Sequence, residues 1–363
     1  MKKIIKNILC ILLVFTTVSC SKDDSTSQDG NPTTDIYIVG QIQKQDGTVK
    51  AVYWKNGEEF ILPSDKYSDA YAIHITSKND VYIAGIEFDV SGIRRPVYWK
   101  NGEKVTLATN NAEDAYAWDI EVSNNDDVYV IGYEINDTNN GAEAIYWKNG
   151  TKVSLHSSGI VSSYAYGIHI TPSGDTYVSG YEYEPFSFGR RAVYWKNDSK
   201  IVLSDGGPSA ISQSIYVTNA GDVYIAGKED SKPESKAVYW KNGIKTVLSL
   251  TGDKKIFAPS IYVANNKVYV SAREAVADQN NVNISSAVYW EDSNKFDLSA
   301  GSSQSFSKQV IVVDNDVYIV GSSRPTASSS YDAVYWKNGA KTTLTDGSYT
   351  AFASSIAITK NSN

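Results

Sequence analysis

The phrase Ala51-Val52-Tyr53-Trp54-Lys55-Asn56-Gly57 returns with small changes along the chain, so that seven copies carry Trp54, Trp99, Trp147, Trp195, Trp240, Trp290 and Trp336. Successive tryptophans are 45, 48, 48, 45, 50 and 46 residues apart. A period in this range is the sequence signature of a propeller blade. Each unit holds four short runs of strand character. The first is Ala70 to Thr76; a tight turn at Ser77-Lys78-Asn79 leads to the second, Asp80 to Gly85. A longer variable stretch leads to the third, Pro96 to Lys100, and Asn101-Gly102 leads to the fourth, Lys104 to Leu107. Asn-Gly between two such runs is a strong hairpin signal, because a type I′ turn needs positive φ at both central residues. Four antiparallel strands per unit make a propeller blade. The expected fold is therefore all-β: one seven-bladed β-propeller over residues 35–359, with residues 360–363 as a tail.

The phase of the repeat predicts how the ring closes. The folded part opens on a second-type strand, Ile36 to Gly40, and ends on a first-type strand, Ser354 to Thr359. One blade must then take its innermost strand from the C-terminus and the other three from the N-terminus. Such a mixed blade removes the open sheet edges that an unclosed array leaves.

A chain of 363 residues with 42% hydrophobic and 21% charged content is globular rather than disordered. Residues 1–19 read as a signal peptide. Lys2, Lys3 and Lys6 precede the apolar run Ile8 to Phe15, which is too short to span a bilayer. Thr17-Val18-Ser19-Cys20 then resembles a bacterial lipobox, which implies a lipidated Cys20. Ser21-Lys22-Asp23-Asp24 is similar to the signal that Bacteroidetes lipoproteins carry for export to the outer face of the outer membrane. The resemblance implies an outer-membrane anchor with the domain facing the exterior. Residues 20–34 become the lipidated cysteine and a polar tether. Cleavage before Cys20 removes three of 34 basic residues, leaving 31 against 41 acidic, a net charge of −10. That balance speaks against nucleic acid as a partner. A single remaining cysteine excludes an intrachain disulfide.

The Trp-x-Asn-Gly…Leu pattern resembles the HAF repeat of bacterial extracellular proteins over residues 35 to 359. The resemblance implies an extracellular propeller and carries no catalytic residue with it. The Gly-His and Trp-Asp pairs of WD40 repeats are missing, as are the Asp boxes of sialidases.

With seven internal copies, residues that recur are scaffold and residues that differ carry specificity. The turns joining first to second and third to fourth strands are alike, whereas the loops at the opposite face differ in every blade. Binding residues concentrate on loops held by a rigid scaffold, so the variable face is the candidate site. Its richest stretch runs from Tyr181 through Tyr183, Glu184, Phe186 and Phe188 to Arg190. A second candidate lies in the channel. The position after the Ile73-type residue reads His74, Asp119, His169, Tyr216, Tyr262, Ile311 and Ala357, which would set two imidazoles and a carboxylate at one level. That trio is a weak candidate for a metal or an acid–base pair, and Tyr71, Tyr116 and Tyr166 adjoin it one level up. No nucleophile elbow, P-loop, zincin helix or paired-cysteine motif is present, and no cofactor is expected. The leading expectation is a monomeric binding propeller that recognises a glycan, peptide or partner protein. The alternative is a polysaccharide lyase or hydrolase using the channel cluster.

Overall fold

A computed structural model describes residues 33–361, apart from 110–111, 137–140, 157, 184–188, 205–206, 232–233, 249–254, 278–282 and 327–328. The expected signal segment, Cys20, the expected tether up to residue 32, and Glu184, Phe186 and Phe188 lie outside the described residues, whereas Thr33 and Thr34, expected in the tether, belong to the first strand. The strands form seven four-stranded antiparallel sheets, one for each tryptophan repeat. The second blade is typical: β4 (Ser68–Ile75), β5 (Val81–Phe88), β6 (Arg94–Lys100) and β7 (Glu103–Thr106) pair in chain order from the channel outward. Closure follows the predicted phase. β1 (Thr33–Gln43), β2 (Val49–Lys55) and β3 (Glu58–Ile61) are joined by β28 (Thr350–Asn361) as the innermost strand. The β1–β28 register runs from Thr33↔Asn361 to Gln43↔Thr350, two residues beyond the predicted bounds at each end.

The recurring residues each have a structural duty. Asn56 adopts φ 52° at the hairpin turn. Its side chain accepts a bond from the Ile36 amide at 2.9 Å and donates to Asp35 at 2.7 Å. The same clasp joins Asn101 to Asp80, Asn149 to Asp127, Asn197 to Asp175, Asn242 to Asp222 and Asn338 to Asp316. The sixth blade inverts the charges: Lys267 replaces the aspartate and pairs with Glu291, while Asp292 takes the turn position. Tertiary contact, not turn propensity alone, therefore selects the motif's Asp, Lys and Asn.

The seven repeat tryptophans are at most 1% exposed. Trp147 of the third blade packs on Tyr82 and Ala84 of the second, and the other tryptophans sit likewise in cores built by two neighbouring blades. They are packing residues and offer no surface to a sugar. Behind each of five tryptophans a buried glutamate meets a lysine of the outer strand: Glu87–Lys104, Glu134–Lys152, Glu182–Lys200, Glu229–Lys245 and Glu274–Lys295. The carboxylates at 134 and 182, which the sequence places at the ligand loops, are thus scaffold. Glu182 also binds Arg191.

One irregularity recurs around the ring and shapes the channel. The first pairing of every blade slips at a β-bulge, which skips Tyr71, Trp118, Tyr166, Gln213, residues 258–259, Lys308 and Ser354. In six blades a glycine of the second strand lies against the bulge. A Cβ on Gly132 would stand 1.8 Å from the Tyr116 carbonyl oxygen, and one on Gly85 2.0 Å from that of Asp69. The sixth blade has Ala272 at this place, and there the register leaves out Ala272 itself as well as residues 258–259, so the surplus is still one residue but the closest pair is not formed. The glycine lets the backbones close up, and the surplus residue is turned out of the ladder.

Candidate binding site

Because the inner strands run from the variable face to the short-turn face, the bulges form a ring inside the channel mouth that opens among the variable loops. Inner strands of all seven blades line a cavity of about 280 Å³ there, among them β8 (Asp114–Val122), β12 (Ser162–Ile170), β16 (Ser209–Val217) and β24 (Gln304–Val313). Its wall includes the bulge residues Tyr71, Trp118, Tyr166, Gln213, Lys308 and Ser354.

The cavity has two unlike sides. Over the second to fourth blades the aromatics are continuous. Tyr71 and Tyr116 stack on Trp118 with centroids 4.4 and 5.5 Å apart, and Tyr166 lies 5.6 Å from it. Tyr181 stacks on Tyr164 at 4.7 Å and on Tyr166 at 5.8 Å, and Tyr183 meets Tyr181 edge-on at 5.8 Å. Arg190 caps this group over Tyr181, anchored to Asp230 at 2.6 Å. The predicted channel tyrosines and the described residues of the predicted loop cluster therefore form one surface. Tyr181 and Tyr183 are strand residues, at the end of β13 (Thr176–Tyr183), rather than loop residues. Burial pushes the Tyr71 and Tyr166 phenols far up and that of Tyr181 to about 12. All three stay neutral donors near pH 7.

On the opposite side the cavity is lined by Lys308 of the seventh blade, and outside the lining stand two arginines of the sixth and seventh blades. Arg273 lies between the rings of Phe257 and Phe306, 4.5 and 4.7 Å from their centroids, and its Nε is buried without an acceptor. Arg324 stands 4.9 Å over Tyr331, its Nε likewise without a partner. Lys308 projects into the channel water although protein surrounds it, and that crowding lowers its pKa. Asp69, from the second blade, faces Lys308. Burial pushes its carboxyl up to about 7, against the opposing pull of Lys308.

The predicted His74–Asp119–His169 level is corrected by the register. Ile73 pairs with Ile83, Ile168 with Val178, and in the third blade it is Ile120 that pairs with Val130. The third member of the level is thus Glu121, and the bulge residue matching Tyr71 is Trp118 rather than Tyr116. Asp119 lines the wide cavity with Trp118, whereas His74, Glu121 and His169 line a separate cavity of about 340 Å³ at the short-turn face. Asp119 accepts the amides of Ile120 and Ile168, and burial pushes its carboxyl up to about 7. Glu121 accepts the Ile170 amide at 2.6 Å and lies 3.7 Å from His169 Nδ1. No group of three His, Cys, Asp or Glu among the described residues is placed to hold a metal. His156, in turn, meets Ser163 at 2.9 Å.

Burial lowers both channel histidines to about 4. The folded state therefore binds fewer protons than the unfolded chain between pH 4 and 6.5. The stability that these neutral rings contribute is whole above 6.5 and drains away as pH falls to 4. His74→Phe is accordingly expected to lose less melting temperature than the parent on acidification across that window. Equal losses in the two proteins would refute the assignment.

No protein-family model matches the chain, and no curated protein does. The likenesses to HAF repeats and to Bacteroidetes lipoproteins rest on the motifs quoted above. Among solved structures the chain is similar to a puromycin-hydrolyzing peptidase of Mycobacterium tuberculosis, with TM-score 0.56 and 10% identity over 86% of this chain and 52% of that one. It is similar also to the β-propeller domain of the Trilobed protease from Pyrococcus furiosus, with TM-score 0.53 and 11% identity over 87% and 97%. A third likeness is to the uncomplexed acylaminoacyl peptidase of Pyrococcus horikoshii, with TM-score 0.50 and 12% identity over 88% and 52%. The chain spans about half the length of the two whole peptidases. At these identities the likeness is one of fold. The Pyrococcus furiosus domain is described as an open velcro, whereas β28 closes the ring here.

Proposed function

We propose that this chain is a lipid-anchored, extracytoplasmic binding propeller that receives a glycan or a partner's peptide at the wide mouth of its channel. One observation carries the reading. The bulges, a scaffold feature present in all seven blades, deliver Tyr71, Trp118, Tyr166, Gln213, Lys308 and Ser354 from six of them to a single cavity, and the aromatic ones gather on one side of it. Half-buried Tyr71, Trp118 and Tyr166 border this open space, Trp118 while also packing on the core between the third and fourth blades. Concave sites with aromatic walls and a few convergent polar groups are the usual form of ligand pockets. Anchoring draws its support from Lys2, Lys3, Lys6 and the Thr17–Cys20 motif alone.

The catalytic alternative, a polysaccharide lyase or hydrolase, would draw on Asp119 and the tyrosines of this same cavity, since the two histidines open elsewhere. The test is an array of glycans and peptides probed with the parent and with Trp118→Ala/Tyr166→Ala. The pair is expected to weaken the parent's best ligand by about 30-fold, the ~2 kcal/mol typical of a hot-spot aromatic, with the fold intact by circular dichroism. Unchanged binding would refute the site, and shortened glycan products would favour the alternative.

A further inference from the structure

Resting on the wide-mouth reading, we infer that the ligand is an acidic glycan, whose carboxylate or sulfate is taken by Lys308 while a sugar ring lies against Tyr71, Trp118 and Tyr166. Three observations meet here. First, Lys308 and Arg273 have no carboxylate within ion-pair distance among the described residues, although most buried or half-buried cations of this chain do: Lys228 pairs with Asp230, Arg190 with Asp230 and Arg95 with Asp89. Arg273 is clamped flat between Phe257 and Phe306, and its buried Nε–H has no acceptor. Arg273 stands close enough to Lys308 for its charge to be felt there, and so adds to the positive field that an anion at Lys308 would meet.

Second, the lining suits sugars better than peptide side chains. Ala72 is the one aliphatic side chain among the described lining residues; the rest are aromatic, hydroxyl, amide or charged, with Gly167. Gln213 lines the cavity too, and its buried Oε1 accepts no hydrogen bond. Third, the charge is one-sided. Lys308 stands on the seventh blade and the stacked rings on the second to fourth, all lining one cavity, so an acidic pyranose between them would meet both at once. Asp119 shares the cavity, and its raised pKa reduces its repulsion of an anion near neutrality.

The experiment is titration calorimetry of the full chain with four probes: tetragalacturonate, a sulfated carrageenan tetrasaccharide, xylotetraose and hexaglutamate. The expected result is binding of one or both anionic saccharides, with the uronate and sulfate arms identifying the acid group. Lys308→Met should raise the Kd about tenfold or more. Because Lys308 is exposed to channel water, that variant keeps its fold, and an unchanged melting curve verifies this. Arg273→Gln should act in the same direction, and added salt should weaken the parent more than Lys308→Met. Xylotetraose binding that is lost in Trp118→Ala but indifferent to Lys308→Met would overturn the acidic ligand and leave the wide-mouth site standing. Preference for hexaglutamate would overturn it in favour of a peptide. Binding of none of the four, or binding indifferent to both variants, would overturn the site as well.

Discussion

Deleting Ala351 to Asn363 is expected to abolish cooperative melting or to drive the chain into oligomers. The segment is nearly all of β28, which supplies the innermost strand of the first blade along the whole length of β1. Its loss removes Ala351, Ala353 and Ile356 from the core between the seventh and first blades. It also removes Ser355, whose hydroxyl accepts the Ile73 amide, and frees Gln309, which accepts the Ile356 amide at 2.7 Å. β1 is left with an unpaired edge in the middle of the molecule, where another chain can pair. A domain's whole stability is about 5–15 kcal/mol, less than the loss of a central strand with its ladder and core. Size-exclusion chromatography and a thermal melt decide the matter. A monomer with unchanged melting would mean that the ring does not depend on β28.

Gly132→Ala is expected to cost about 3 kcal/mol, the upper end of overpacking penalties, which is large for one methyl group. The new Cβ would fall 1.8 Å from the Tyr116 carbonyl oxygen and 2.8 Å from its carbon. Those atoms belong to the ladder, so no side chain can rotate to relieve the clash. The sixth blade supplies an internal control. There Ala272 occupies the equivalent place and is left out of the ladder together with residues 258–259, so Ala272→Gly should change stability little. Chemical denaturation of both variants tests the pair. Comparable small effects would show that the glycines do not set the bulge. Because the bulge carries Trp118, Gly132→Ala should also disturb the wide mouth.

Much of the scaffold was legible in the amino-acid order because it is repeated. The tryptophan period, the Asn-Gly turns and the phase of the terminal strands all come from local chemistry written seven times. The channel was read less well, for an identifiable reason. Ala115-Tyr116-Ala117 copies Ala70-Tyr71-Ala72, and that decoy shifts the third blade by two residues. Counting back from the turn aspartate finds the correct register, since Ile73 and Ile120 each precede theirs, Asp80 and Asp127, by seven. Bulges lack a side-chain pattern of their own, so the meeting of Tyr71 with Trp118 and of Tyr166 with Tyr181 could not be read from strand alternation. The second-strand glycine was the available signal. The buried pairs were also visible, as a glutamate two residues after that glycine, or after Ala272 in the sixth blade, and a lysine five after the tryptophan of the same blade. Their acidic members were read as loop chemistry because sequence does not distinguish a buried carboxylate from a solvated one.

The central claim is that recognition belongs to the wide mouth and not to the histidine-lined cavity at the other end. The most direct measurement sets Trp118→Ala/Tyr166→Ala beside His74→Ala/His169→Ala in the same calorimetric titration with tetragalacturonate and the carrageenan tetrasaccharide. The account predicts that the first pair loses binding and the second keeps it within about twofold, or ~0.4 kcal/mol. Loss in the histidine pair with retention in the aromatic pair would contradict it.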